Sequence, residues 1–129
     1  MNVKTILATK GDTIISIEPG ADLAAATQLL SKHRIGAGVI RGTGGRLAGI
    51  LSERDIVRAL AEYGVEGLKV QVSQVMTRNV ATCGEDDTIT SIMEQMTAKK
   101  FRHMPVVSKG ELVGLVLIGD VVKQRLGEI

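Results

Sequence analysis

Apolar residues recur along this chain with the helical period in two separate segments, residues 16–30 and residues 82–96. In each segment four residues fall at positions i, i+3, i+4 and i+7 and would form one mainly apolar stripe on a helix. They are Leu23, Ala26, Thr27 and Leu30 in the first segment, and Ile89, Ile92, Met93 and Met96 in the second. A residue suited to an N-cap precedes each stripe, Asp22 in the first segment and Asp87 or Thr88 in the second. The pattern therefore predicts the same amphipathic helix twice.

Short strand-like runs surround each predicted helix in the same order. They are TIISI (13–17), AGVI (37–40) and LAGIL (47–51) in the first half, and NVAT (79–82), HMPVV (103–107) and LVGLVLI (112–118) in the second. The intervening segments RGTGGRL and SKGEL favour hairpin turns. A second set of helix-spaced apolar residues then closes each half: Ile56, Ala59, Leu60 and Tyr63, and later Val122 and Leu126. Each half is thus predicted to fold as β-α-β-β-α.

The duplication predicts the fold class and the boundary between the halves. GVEGLKVQVSQVM (64–76) connects the copies, and its two glycines mark the break, so we expect repeats at 1–67 and 68–129. A half of roughly sixty residues has a thin core, and packing two sheets together would bury the remaining apolar face. We therefore predict an α+β fold of the α/β sandwich type. Its two repeats would be related by a pseudo-twofold axis and packed sheet to sheet, with two clefts related by that axis.

A short phrase of sequence that contains an aspartate also occurs twice, as GILSERDIV (49–57) and GLVLIGDVV (114–122). In each phrase an aspartate, Asp55 or Asp120, follows the glycine by six residues and falls at a predicted helix start. A carboxylate can accept hydrogen bonds from both hydroxyls of a ribose, and a helix N-terminus favours an anion. Ser52 could donate to a phosphate or ribose oxygen. The alternative is that Ser52 and Asp55 form a capping box that only satisfies the helix amides.

The second copy departs from the first at the hydroxyl position. Leu117 stands in the place of Ser52 and cannot donate a hydrogen bond, whereas Gly119 would let a ligand approach the backbone. We therefore expect unequal clefts, with the Asp55 cleft the better one. For Asp120 the alternative is favourable electrostatics at a helix start.

These phrases, together with RIGAGVI (34–40) and FRHMPVV (101–107), resemble a tandem pair of cystathionine β-synthase (CBS) domains, also called a Bateman module. The resemblance covers essentially the whole chain and is closest to small stand-alone bacterial members. It implies a non-catalytic sensor that binds AMP, ADP, ATP, NAD(H) or S-adenosylmethionine in the cleft between the repeats and signals to a partner protein. It also implies a homodimer.

The resemblance implies roles for particular residues. Ser52 and Asp55 match the family's ribose-binding and phosphate-binding pair, and Arg102 and His103 match a basic pair on phosphate. Ile35 and Gly36 stand at the corresponding places in the first copy, so we expect this charge only once. The candidate nucleotide-binding residues are Ser52, Asp55, Arg102, His103, Asp120, Arg54, Lys10, Ile35, Gly36, Ala37 and Met104. Apolar walls for an adenine ring would come from Ile35, Val39 and Ile50.

Alternatives stay open for several of these candidates. His103 could be a histidine at the core edge with a backbone partner. Lys10 and Arg54 could be solvated surface charges, and Met104 could be a core residue.

Composition narrows the function classes. The 129 residues carry a net charge of +2, and Tyr63 and Phe101 are the only aromatic residues, so no base-stacking platform for nucleic acid is expected. No apolar run is long enough to span a membrane. The single cysteine, Cys83, excludes an internal disulfide and suits a reducing cytoplasm.

Catalysis finds little support in the sequence. No metal-ligand cluster is visible, and GTGG (42–45) lacks the lysine and hydroxyl of a P-loop. We therefore expect neither an enzyme, a catalytic cofactor nor a metal. The remaining alternative is a dimerisation scaffold with vestigial clefts.

Overall fold

The computed structural model of the protein describes residues 1–10 and 14–127. Helices and strands are intermixed along the described chain. The elements are α1 (Val3–Lys10), β1 (Ser16–Ile17), α2 (Leu23–His33), β2 (Ala37–Arg41), β3 (Leu47–Ser52), α3 (Glu53–Tyr63), α4 (Val72–Val75), α5 (Ile89–Lys99), β4 (His103–Ser108), β5 (Glu111–Leu117) and α6 (Ile118–Gly127). Two 3₁₀ segments, Thr43–Gly45 and Gly64–Lys69, lie between them. The predicted α+β class is confirmed.

The chain divides into two compact units. The central unit is Ile15–Val80, and the terminal unit combines Met1–Ile14 with Ala81–Ile129. These units are defined by contacts in space, whereas the predicted repeats 1–67 and 68–129 are defined by sequence. The repeat boundary stays a prediction.

The central unit contains a three-stranded sheet in the order β1-β2-β3. β1 runs parallel to β2, and β2 runs antiparallel to β3, with Ala37 opposite Ser52. The hairpin turn is possible because Gly44 and Gly45 adopt positive φ angles of 72° and 76°. The core of the unit comes from the sheet, from α2 to α4 and from Met76. It consists of Ile17, Leu23, Ala26, Leu30, Ile40, Leu51, Ile56, Ala59, Val72 and Met76.

The terminal unit contains a two-stranded antiparallel sheet, β4-β5, in which His103 lies opposite Leu117. Its core draws on α1, Cys83, α5, both strands and α6. The members are Val3, Ile6, Cys83, Ile89, Ile92, Met96, Met104, Val106, Val116 and Val121. Both predicted amphipathic helices are confirmed, and their N-caps are Asp22, which accepts from the Ala25 amide, and Thr88, which accepts from the Ser91 amide.

The predicted opening strands are only partly present. β1 covers the end of TIISI, of which Thr13 lies outside the described residues. NVAT (79–82) is not a strand, and that prediction was wrong. A single parallel bridge, Cys83 to Val106, replaces it. The next hydrogen bond of a parallel ladder would need an N–H from Pro105, which proline lacks. In the central unit Val39 holds the position that corresponds to Pro105. Its amide makes the hydrogen bond that Pro105 cannot, donating to the Ile15 carbonyl at 3.2 Å.

The helix α1 was not predicted. Val3 and Ile6 are buried in the terminal core, and the Val3 amide donates to the Asp87 carbonyl at 2.9 Å. In the central unit α4 makes the same type of contact, since the Val72 amide donates to the Ala21 carbonyl at 2.8 Å. The sequence signal was present, because Val-x-x-Ile-Leu (3–7) and Val-x-x-Val-Met (72–76) share one apolar spacing.

Candidate functional site

The two aspartates of the repeated phrase have the same backbone contact. The Ser52 amide donates to Asp55 Oδ2 at 2.9 Å, and the Leu117 amide donates to Asp120 Oδ2 at 2.9 Å. Each carboxylate lies in the first turn of a helix, α3 or α6, that directly follows a strand. The repeated phrase therefore builds one arrangement twice, with an acid at the junction of a strand and a helix.

Asp55 is enclosed by other groups of the chain. The Ser52 hydroxyl donates to its Oδ2 at 3.1 Å, and the Asp55 amide donates to Ser52 Oγ at 3.3 Å. The capping box anticipated as an alternative is thus present. The Thr77 hydroxyl lies 3.2 Å from Asp55 Oδ1 and 3.4 Å from Oδ2. Only 5% of the Asp55 side chain is exposed, so a ligand could reach this carboxylate only by displacing one of these donors.

Asp120 has a different set of partners. Lys10 Nζ lies 2.8 Å from Asp120 Oδ2 and also donates to the Leu115 carbonyl at 2.9 Å. The side chains of Lys10 and Asp120 are 29% and 23% exposed. Because Leu117 replaces the serine, no hydroxyl caps this helix. Asp120 therefore depends on a lysine from α1, 110 residues away in sequence.

The glycine of each phrase makes room for the segment that carries the acid's partner from a distant part of the sequence. A Cβ on Gly49 would lie 2.7 Å from the Thr77 carbonyl oxygen, and a Cβ on Gly114 would lie 2.6 Å from Leu7 Cδ2. Thr77 is held there by two backbone hydrogen bonds with Ile50, at 2.9 and 2.8 Å. The contact between Thr77 and Asp55 was not predicted, although the position of Thr77 after the apolar pair Val75–Met76 was a usable signal.

The other predicted site residues are placed less uniformly. Arg54 and Arg102 are exposed, whereas His103, Ile35 and Gly36 are half-buried. Ala37 and Met104 are buried, at 1% and 0% exposure. Met104 belongs to the terminal core, which supports its alternative assignment as a packing residue. The structure brings together Ser52 with Asp55, and Lys10 with Asp120.

The strand register corrects the expected correspondence around the basic pair. Ala37 pairs with Ser52 as His103 pairs with Leu117, so Ala37 is the counterpart of His103. The Gly36 carbonyl then accepts a hydrogen bond at 2.9 Å from the first amide of α3, and the Arg102 carbonyl accepts one at 2.9 Å from the first amide of α6. The expected pairing of Ile35 and Gly36 with Arg102 and His103 was therefore wrong by one residue. The reason is that the turn between helix and strand carries no pattern that fixes its register.

A groove of about 640 Å³ lies in the central unit beside α2 and α3. Its walls are largely apolar, and neither aspartate lines it. The lining residues are Thr27, Leu30, Ser31, Arg34, Ile35, Gly36, Glu53, Ile56 and Val57. Of the candidate nucleotide-binding residues, Ile35 and Gly36 contribute to it.

Cys83 is a poor nucleophile. Burial raises the pKa of its thiol to about 12, and the charge of Asp87 adds to the shift. Its place in the terminal core is that of a packed, unreactive residue.

Residues 1–10 and 14–127 contain neither a metal-binding cluster nor a membrane-spanning helix. No group of three or more histidine, cysteine, aspartate or glutamate side chains in these ranges is arranged to hold a metal ion. No helix within them has the length and apolar character needed to cross a membrane.

Comparison with known proteins gives a consistent result. The family model described as "CBS domain" matches residues 3–62 and again residues 72–127. The matches begin at Val3 and Val72, the first residues of α1 and α4. A 17.7 kDa protein of Acidianus ambivalens is 31% identical over 125 residues, which cover 96% of this chain and 73% of that protein.

Solved structures share the whole fold. The CBS-domain containing protein ATU1752 from Agrobacterium tumefaciens is 41% identical, with a TM-score of 0.93 over 97% of this chain and 99% of that one. The CBS domain pair of protein MJ0100 is 28% identical, with a TM-score of 0.87 over 100% and 98% of the two chains. Its structure was solved in complex with 5′-methylthioadenosine and S-adenosyl-L-methionine.

Proposed function

The chain belongs to the CBS-domain family as a pair of CBS domains, and we propose that it is a regulatory module that binds an adenine nucleotide. The proposed binding groups are the carboxylates of Asp55 and Asp120, which would accept hydrogen bonds from the ribose hydroxyls. CBS pairs are regulatory modules, and the comparisons indicate no catalytic family.

The repeated acid carries this proposal. A carboxylate at the strand–helix junction occurs twice, with the same backbone amide contact of 2.9 Å each time. The acid is kept in the second copy, where Leu117 takes the place of Ser52 and the reciprocal capping box cannot form. Two acceptor oxygens suit the adjacent hydroxyls of a ribose. The adenosine-containing ligands of the MJ0100 pair support the same ligand class here.

Phosphate groups would be bound by nearby cations. Lys10 already lies beside Asp120, and Arg54 follows the same strand that carries Ser52. Arg102 and His103 stand at the start of β4, next to the strand that leads to Asp120. These groups favour AMP, ADP, ATP or NAD(H), because each adds negative charge to the adenosine unit.

The signal would pass to a partner protein through a homodimer. Apolar side chains on α3 (Val57, Leu60 and Tyr63) and on α6 (Val122 and Leu126) are exposed in the chain. Burying them against a second copy would remove apolar surface from water. A ligand changes such an assembly only as far as it prefers one arrangement over another.

A calorimetric titration with AMP, ADP, ATP, NADH and S-adenosylmethionine tests the proposal. We expect at least one of them to bind the wild-type protein, and Asp120→Asn to weaken that binding about tenfold or more, since hydrogen bonds to a charged acceptor are each worth about 1.5–3 kcal/mol. Asp86→Asn is the matched control, because Asp86 is exposed and its side chain forms no hydrogen bond or ion pair within the described residues. If none of the five compounds binds the wild-type protein, the proposal is overturned.

One observation favours the dimerisation scaffold as a second candidate. Asp55 is almost fully enclosed by its own capping box and Thr77, as a purely structural residue would be. In that case Val57→Glu should dissociate the dimer in sedimentation experiments. No nucleotide should change the mass of the wild-type dimer in the same experiments. Val65→Glu serves as the control, since Val65 is exposed outside α3.

A further inference from the structure

We propose that Lys10 is an exchangeable counter-ion of Asp120 that makes this site select a phosphorylated nucleoside over an unphosphorylated one. The inference rests on the proposed nucleotide-binding function and assigns to one residue a role in ligand choice.

The two acids differ in the donor that covers them. Thr77, which covers Asp55, is neutral and is fixed by its backbone pairing with Ile50. Arg58 lies 3.6 Å from Asp55 Oδ1, but its side chain is 67% exposed, so water screens this contact. Asp120 is covered instead by the ammonium group of Lys10 at 2.8 Å.

Lys10 can move without losing all its partners. Its Nζ has three donors, of which one bonds the Leu115 carbonyl at 2.9 Å and one bonds Asp120. The side chain is 29% exposed and comes from the last residue of α1. An ammonium group on a flexible stem can shift from the carboxylate to a nearby phosphate while the Leu115 contact persists.

This exchange distinguishes two classes of ligand. A nucleoside without phosphate has to compete with Lys10 for the carboxylate of Asp120 and gives the lysine no new partner. A nucleoside monophosphate offers Lys10 an anion, so the carboxylate becomes available to the ribose hydroxyls. Without Lys10 the uncompensated charge of Asp120 would repel the phosphate. The preference for phosphate therefore depends mainly on the lysine, with Arg102 and His103 as further cations at the start of β4.

The same geometry changes the expected ranking of the two acids. Asp120 is 23% exposed and covered by one movable side chain, whereas Asp55 is 5% exposed and held by groups fixed to the backbone. Asp120 is thus the acid that a ligand reaches with less rearrangement. The opposite order was expected from sequence, because the leucine at position 117 counted against Asp120.

Nuclear magnetic resonance can follow each site separately. The amides of Leu117 and Ser52 donate directly to Asp120 and Asp55, so their shifts report ligand binding at each acid. Titrations with AMP and adenosine at the Leu117 amide should show that AMP binds the wild-type protein about tenfold more tightly, as expected for one charge-assisted hydrogen bond. Lys10→Met should remove most of this preference, mainly by weakening the binding of AMP.

Three variants make the outcome decisive. Lys4→Met alters an exposed lysine of the same helix and should keep the preference. Lys10→Arg keeps the positive charge and should also keep the preference for AMP. Asp120→Asn should weaken the binding of both ligands, but AMP should still bind more tightly than adenosine, because Lys10 is released to the phosphate. This variant also tests the proposal if Lys10→Met fails to fold.

Two different failures can be told apart. An AMP preference that is undiminished in folded Lys10→Met, or that is absent from the wild-type protein although both ligands bind, would overturn the role of Lys10 and leave the proposed function standing. If none of AMP, adenosine, ADP, ATP, NADH and S-adenosylmethionine moves either reporter amide, the proposed function fails, and the inference fails with it.

Discussion

Gly49 lies so close to Thr77 that a Cβ atom on the glycine would stand 2.7 Å from the threonine's carbonyl oxygen. This close approach lets Thr77 pair with Ile50 and places its hydroxyl on Asp55. The glycine that opens the repeated phrase is thus required for packing, and the acid six residues later depends on it.

Gly49→Ala is expected to lower the free energy of unfolding by roughly 1–3 kcal/mol, as overpacking in a tight interior does. The methyl group would meet backbone oxygen, which cannot turn aside. Gly114→Ala should cost less, because the atoms it would meet belong to the flexible end of Leu7. Gly20→Ala, with no atom within 4 Å, is the control. Urea unfolding measures all three, and an equal cost at Gly49 and Gly20 would contradict the packing argument.

Thr77→Val should lower the free energy of unfolding by about 1–3 kcal/mol, because it leaves a buried carboxylate short of one donor. Shape is nearly conserved in this substitution, so the loss measures the hydroxyl. The control is Thr82→Val, at an exposed threonine that has no hydrogen bond in the described chain. Thermal unfolding that gives the two variants the same midpoint would show that the Thr77–Asp55 contact contributes nothing.

Alkaline pH should destabilise the protein through Cys83. Burial raises the pKa of this thiol to about 12, with Asp87 adding to the shift, whereas an unfolded cysteine titrates at about 8.5. Between these values the unfolded chain has released a proton that the native chain retains, so stability falls as pH rises. The expected slope from this residue is about 1.4 kcal/mol per pH unit, and it vanishes below about pH 8.

Cys83→Ala isolates the contribution of this thiol. The stability difference between the wild-type protein and the variant, measured by urea unfolding at pH 7, 9 and 10, should shrink or reverse toward alkaline pH. A difference that stays constant across this range would mean that the thiol titrates normally in the native state.

The hairpins and amphipathic helices were predictable because their signals are local. Alternation, glycine-rich turns and the spacing of Ile89, Ile92 and Met96 specify an element without reference to the rest of the chain. The missing strand at 79–82 depended on Pro105, which lies far along the sequence and removes a hydrogen-bond donor needed by a partner strand. Such a dependence is visible only once the register is known.

The site was less predictable than the fold for the same reason. The Ser52–Asp55 capping box joins residues three apart and was anticipated as an alternative, whereas Thr77 is 22 residues from Asp55 and Lys10 is 110 residues from Asp120. Lys10 was expected near phosphate from the sequence, but nothing in the sequence paired it with an acid. Which acid is more accessible depends on these distant donors.

The most direct test of the central claim compares AMP with 2′,3′-dideoxy-AMP, which lacks the two hydroxyls that a carboxylate would accept. Calorimetry on the wild-type protein should show AMP binding about ten- to a hundredfold more tightly, since each lost bond to a charged acceptor is worth about 1.5–3 kcal/mol and water partly replaces it. Asp120→Asn should reduce this difference, whereas Asp86→Asn should not. Equal affinities for the two compounds in the wild-type protein would contradict the account, because the acids would then hold no ribose.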